Sequence, residues 1–170
     1  VMIKEMIDST AEGQYAVAVK LSELWYFIPV AITGSVFPAL VRAKNTNNQI
    51  YLQRLTYLYT FMFWVAFMLA VGISFLGEWI IKVLFGDPYI HASGVLIIHI
   101  WTGVFVFLGV ASHQWLVTEN LQLYSLINTC VGAALNIALN LYLIPIYGIQ
   151  GAAVASLISY FIAAYFMLLF

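Results

Sequence analysis

Charge is what this 170-residue chain has least of: six Lys/Arg and seven Asp/Glu make up 8% of it and leave a net charge of −1. A typical soluble domain is about a quarter charged. With 64% of its residues hydrophobic and a mean hydropathy of +0.99, the chain has too few polar residues to cover a water-soluble globule. That excludes a soluble enzyme and a disordered chain. The absence of a basic field excludes nucleic acid as a partner. Cysteine is nearly absent. Cys130 alone forms no intrachain disulfide and offers no metal-ligand spacing, so it reads as a small buried hydrophobe in an apolar helical window. There is no G-x-S-x-G, no phosphate loop, no HExxH and no carboxylate pair suited to acid–base work. Neither a metal nor a cofactor is expected.

What fills the sequence is long apolar runs. They are continuous rather than alternating, which excludes a transmembrane β-barrel. A spanning helix needs roughly 20 apolar residues to cross about 30 Å of hydrocarbon. Residues 55–77 meet that length without a charge, and 95–117 lack Asp, Glu, Lys and Arg while carrying His99 and His113. Residues 123–147 are uncharged but hold Asn128, Asn136 and Asn140, and 151–170 form a further run. An irregular run over 14–41 contains Lys20, Glu23, Pro29 and Pro38. The expectation is an all-α integral membrane protein with five spans, preceded by a partial helix. The opening residues Val1–Ile7 resemble the tail of a helix begun earlier, with no secretory leader pattern, so the chain reads as a piece of a larger protein.

Polar residues concentrate between the runs. Residues 78–89 place Trp79, Ile80, Val83 and Leu84 at helical spacing beside Glu78 and Lys82. This suggests a short interfacial helix ended by Gly86-Asp87-Pro88. Arg42, Lys44 and Arg54 cluster around one loop, and the positive-inside rule puts that loop in the cytoplasm. Residues 78–91 and 147–150 then lie outside, while 118–121 and the C-terminus lie inside.

Polar groups within the runs are the candidates for function. Lys20 and Glu23, three apart, share a helix face. A charge at mid-bilayer costs about 2.5–3.5 kcal/mol on insertion scales, so the two must pair with each other, snorkel to the interface, or line a hydrated cavity with Tyr15 and Ser22. Pro29 and Pro38, flanking Gly34-Ser35, suggest a discontinuous helix of the kind tolerated where backbone faces a cavity. His99, Thr102, Gly103, Val106, Gly109, Ser112 and His113 fall in one sector, as an interhelical contact or a ligand-facing stripe. Asn128, Gly132, Asn136 and Asn140 form an i, i+4 ladder that reads as interhelical glue or as a cavity wall. Small residues at Gly151, Ala152, Ala155, Ser156, Ser159 and Ala163 permit close helix packing.

Two stretches carry a family resemblance. Residues 12–29, EGQYAVAVKLSELWYFIP, running on to Phe37-Pro38, resemble the eighth helix of polysaccharide exporters. These are the lipid-linked oligosaccharide flippases of the multidrug/oligosaccharidyl-lipid/polysaccharide superfamily. Residues 136–156, NIALNLYLIPIYGIQGAAVAS, are similar to that family's last helical hairpin. The 79–89 and 114–120 segments also resemble it in place and character. The resemblance implies that residues 1–170 form the C-terminal half of a two-bundle transporter of about twelve helices, from the end of helix seven to helix twelve. It implies a missing N-terminal bundle as partner, a multi-pass site in the bacterial cytoplasmic membrane, and a cytoplasmic C-terminus. It further implies flipping of undecaprenyl-pyrophosphate-linked oligosaccharide for polysaccharides such as O-antigen and lipopolysaccharide, by alternating access. The polysaccharide polymerase machinery would be a neighbour. Lys20 is the one cation within an expected span, so the resemblance casts it as a pyrophosphate contact.

The same residues admit a multidrug exporter of that superfamily, in which Glu23 rather than Lys20 would matter. They also admit a non-transporting membrane scaffold of a glycan-synthesis complex. An intramembrane transferase built on His99 or His113 lacks an evident carboxylate partner.

Overall fold

The computed structural model describes residues 2–165. The described chain is helical, in the order α1 (Met2–Met6), α2 (Ser9–Glu23), α3 (Phe27–Thr46), α4 (Asn48–Phe85), α5 (Ala92–His99), α6 (Thr102–Thr118) and α7 (Gln122–Tyr165). The elements start and stop for local reasons. Asp8 Oδ1 accepts from the Ala11 N–H at 2.6 Å and caps α2. Asn47 Oδ1 accepts from the N–H groups of Gln49 and Ile50 at 2.8 and 3.4 Å and caps α4. Gly86, at φ +78°, lets the chain leave α4.

Among the described residues, four stretches are long and apolar enough to cross a membrane: Ser9–Thr46, Asn48–Phe85, Ala92–Thr118 and Gln122–Tyr165. The last is two limbs. Gly148 sits at φ 60°, ψ −140° inside it, and a Cβ built on Gly132 would lie 2.7 Å from the Ala163 Cβ. In a straight helix those two residues would stand about 46 Å apart at 1.5 Å per residue, so the chain folds back at Gly148. The turn expected at 147–150 is there, and the small residues Gly151, Ala152, Ala155, Ser156 and Ser159 are buried. Residues 166–170 of the fifth expected span lie outside the described residues.

Four expectations change. Cys130 is exposed rather than buried. Residues 78–85 continue α4 to a length of 38 residues and form no separate interfacial helix, because nothing between Gly77 and Phe85 stops the helix. The first span is not broken at Gly34-Ser35 or Pro38. Its departure from α geometry is a 3-10 turn at Leu24–Tyr26, and Pro38 sits inside α3. The position follows from proline sterics: the Pro29 ring crowds the carbonyl four residues back, that of Trp25, in the middle of this turn. At Pro38 the residue four back is Gly34, with open space around it. Finally, the 95–117 span is two helices joined at Ile100-Trp101, where Trp101 N–H bonds the Ile98 carbonyl and Gly103 N–H that of Ile100.

α4 packs along α3, α5 and α6, and α6 lies between α4 and α7. The buried seam of α4 runs Tyr51, Leu55, Leu58, Met62, Ala66 and Ala70 at i, i+3/i+4 spacing, meeting Ile100, Val104, Phe107 and Ala111. Contacts sort the connections into two ends. Gln14 Nε2 donates to the Pro88 carbonyl at 3.3 Å, and the Gln150 side chain reaches Gly94. At the opposite end Lys44 pairs with Glu119 at 2.8 Å. The grouping of loops deduced from the spans is therefore the observed one.

Candidate cavity between the helices

A cavity of about 800 Å³ opens between α2, α3, α5, α6 and both limbs of α7. It extends along the helix axes from Tyr15 and Ser156 toward one end to Gln114 and Ser125 toward the other. Its wall is unlike the rest of this apolar chain: Thr33, Ser112, Thr129, Ser159 and Tyr160 also border it. Membrane helices keep such groups away from lipid and turn them toward protein or water.

Six of the eight candidate polar residues from the sequence border this cavity: Tyr15, Glu23, His99, His113, Asn128 and Asn136. Lys20 does not. It is exposed, and among the described residues no ion pair joins it to Glu23. The shared face inferred from their spacing does not bring both into one wall. Residue 20 turns away, and among the described residues Glu23 is the one charged side chain bordering the cavity. Asn140 also stays outside the wall. Its Nδ2 donates to Asn136 Oδ1 at 2.9 Å, within one helix limb, and its own Oδ1 is buried without a partner. The ladder is thus a cavity wall at Asn128 and Asn136, and its observed bond is within the helix rather than between helices. His113 Nδ1 lies 3.1 Å from Ser125 Oγ, linking α6 to α7.

The structured heart of the site is where two helix irregularities meet. The 3-10 turn at Leu24–Tyr26 lies beside the α5–α6 junction. Ser22 Oγ is 2.6 Å from His99 Nδ1, and Tyr26 OH is 2.8 Å from Thr102 Oγ1. Thr102 Oγ1 also donates to the His99 carbonyl at 2.7 Å, satisfying a backbone group freed at the junction. Tyr15 stands edge-on to the His99 ring at 6.4 Å and its hydroxyl lies 3.3 Å from Ser156 Oγ. Proline foretold the first irregularity, but no Gly or Pro lies at Ile100-Trp101 to foretell the second.

Chemically, the wall offers hydroxyls, amides, aromatic faces and a carboxylate, with no Lys or Arg among the described bordering residues. An anion entering it would meet Glu23 without compensation. Two like unit charges 4 Å apart repel by about 4 kcal/mol at an effective dielectric of about 20.

The fold and cavity can be set beside known proteins. The chain is similar to the probable flippase AglR of Haloferax volcanii, at 30% identity over 162 aligned residues that cover 90% of this chain. It spans only 33% of that relative's length. No protein-family model matches the chain, and no solved structure matches it significantly. Long apolar helices and this similarity together make the chain a multi-pass membrane protein resembling a probable flippase.

Proposed function

We propose that the chain is part of a flippase that moves lipid-linked oligosaccharides across the cytoplasmic membrane. The observation that carries the reading is a cavity of about 800 Å³, with polar side chains set into a largely apolar wall, among helices long enough to span the bilayer, in a chain similar to a probable flippase. A flippase must shelter a hydrophilic headgroup while its lipid tail stays in hydrocarbon, and a cavity between otherwise apolar helices supplies that shelter. In this reading the chain is one half of a two-bundle transporter. A second bundle closes the far side of the cavity, and rocking of the two bundles gives alternating access. The cargo is an undecaprenyl-pyrophosphate-linked repeat unit taken from the cytoplasmic leaflet, and the basic Arg42–Arg54 end faces the cytoplasm. Tyr15, Glu23, His99, His113, Asn128 and Asn136 carry the cargo contacts on this side. Lys20 is set aside, and cations that bind pyrophosphate belong to the other bundle.

The test is expression of the full-length protein in cells lacking their own oligosaccharide flippase, with surface polysaccharide measured. Restored polymer supports the reading. Its absence, with the protein correctly inserted and the cells' own repeat unit accepted by a control flippase, counts against it.

One observation favours a second reading. Glu23, which borders the cavity together with the rings of Tyr15, Tyr160 and Phe105, makes the wall mildly acidic and aromatic, which suits a cationic drug. A multidrug exporter would confer resistance to cationic dyes, lose it on Glu23→Gln, and restore no polysaccharide.

A further inference from the structure

Hydrogen-bond polarity divides the possible occupants of the cavity more sharply than its size does. Ser22 Oγ lies 2.8 Å from the Val19 carbonyl oxygen and 2.6 Å from His99 Nδ1. Two such contacts need two protons, and a hydroxyl has one. Ser22 therefore donates to the Val19 carbonyl and accepts from an Nδ1–H, and in the neutral imidazole Nε2 then carries no proton. His99 is only 3% exposed and borders the cavity. Its Nε2 has no partner among the described residues, yet it is not sealed off: Asn140 Oδ1 is the buried side-chain polar atom left without a partner there. The bare Nε2 lone pair is thus accessible, on a residue that borders the cavity. Glu23 adds a second pure acceptor. Asn136, whose Oδ1 is engaged by Asn140, is left with its Nδ2 as a donor.

A phosphate or pyrophosphate group brings acceptor oxygens and negative charge. It would face a lone pair and a carboxylate with no bordering Lys or Arg to hold it. A sugar hydroxyl both donates and accepts, so it satisfies Nε2 and Glu23 as a donor and Asn136 as an acceptor. The rings of Tyr15 and Tyr160 add flat apolar surface for the faces of a sugar.

We propose that this cavity is a glycan site, which takes the uncharged, polyhydroxylated part of the cargo and excludes its phosphates, with His99 Nε2 accepting from a sugar hydroxyl. The proposal rests on the flippase reading for the identity of the cargo, and its chemistry is testable without transport. The phosphate groups are then held by a surface other than this cavity wall.

The experiment uses the full-length protein in phosphatidylcholine nanodiscs and two probes at matched ionic strength, an alkyl maltotrioside without phosphate and inorganic pyrophosphate. Saturable stabilisation against heat by the maltotrioside is expected. Losing one neutral hydrogen bond should weaken binding roughly threefold to tenfold, so His99→Phe and Asn136→Leu should each show that loss. Pyrophosphate affinity should be the same in the parent protein and in both variants. Because His99 is buried and its replacement risks unfolding, Asn136→Leu and Glu23→Gln decide the matter if His99→Phe does not fold. Lys82→Gln, at an exposed pair with Asp87, should bind as the parent does. Pyrophosphate binding that responds to these wall variants would overturn the assignment, as would maltotrioside binding indifferent to all of them. Restored polysaccharide without maltotrioside binding would overturn the glycan site and leave the flippase reading standing. Maltotrioside binding sensitive to the wall variants, without restoration, would support the glycan site and count against the flippase.

Discussion

The two sides of α6 are built from the same helix and do opposite things. Toward α4 it presents Val104, Phe107 and Ala111, which are 6%, 1% and 0% exposed and belong to a dry, interlocked core. Toward α7 it presents Val106, Gly109, Val110 and His113, which border the cavity. Both sets repeat at helical spacing, so periodicity alone cannot rank them. In water the apolar side would be the buried one. In lipid that rule fails, because a bilayer solvates Leu and Phe as well as a protein core does. Side-chain fit distinguishes the α4 side, and polarity marks the α7 side. The stripe read from the sequence mixes the two. Its members Thr102 and Gly103 are buried against neighbouring helices, while Val106, Gly109, Ser112 and His113 face the cavity.

The comparison breaks most visibly at Phe107. Phe→Ala in a core costs about 3–5 kcal/mol in soluble proteins, and in a bilayer the expected loss is at the lower end, about 3 kcal/mol, because the unfolded side chain is also in an apolar solvent. Thermal unfolding of the full-length protein in nanodiscs should show Phe107→Ala with the largest fall in Tm of the substitutions considered. At a temperature where it is still folded, it should bind alkyl maltotrioside as the parent does. Impaired binding in the folded variant would mean that the α4 side is part of the site.

Gly132→Leu sharpens the contrast from the other side. A Cβ there would come within 2.7 Å of the Ala163 Cβ, and Gly132 borders the cavity. The limbs of α7 must move apart, at a cost of about 1–3 kcal/mol for overpacking. Unlike Phe107→Ala, this substitution should lower both Tm and maltotrioside binding. A lowered Tm with unchanged binding would show that the gap between the limbs serves packing alone.

These contrasts explain which parts of the structure were legible in the sequence. The long apolar runs, the turn at Gly148 and the pairing of loops at each end follow from length and polarity, which the bilayer constrains directly. Tyr15, Glu23, His99, His113, Asn128 and Asn136 were legible for the same reason, since polar side chains in hydrocarbon need a protein or water face. Lys20 misled because two residues three apart share a face about 60° wide of each other, and the wall's edge falls between them. Asn140 misled because its partner is a turn away on its own helix. The α5–α6 junction was silent because it is set by tertiary bonds, Ser22 to His99 and Tyr26 to Thr102, rather than by a helix breaker.

The smallest expected effect lies outside both faces of α6, at its C-terminal end. Lys44 Nζ donates to the Thr118 carbonyl at 2.5 Å and pairs with Glu119 at 2.8 Å, and Tyr51 OH donates to Glu119 at 3.0 Å. A carboxylate at a helix C-terminus meets the negative end of the helix dipole, so Glu119 is tolerable there because Lys44 answers both it and the free carbonyl. The hydrogen bond from Lys44 is the main cause that holds the Glu119 carboxyl below its usual 4.5. A depressed pKa means that this contribution is present above the ordinary glutamate value and is lost as pH falls through the depressed one. The two side chains are 31% and 30% exposed, so solvent screening limits the contribution to about 0.5 kcal/mol. Glu119→Gln should therefore lower Tm slightly at pH 7, and the gap to the parent should close as the medium is acidified well below pH 4.5. A gap that stays open in acid would show that the effect does not come from the charge. Lys44→Met should cost more than Glu119→Gln at pH 7, because it takes the donor from the Thr118 carbonyl and leaves the Glu119 carboxylate without its cation.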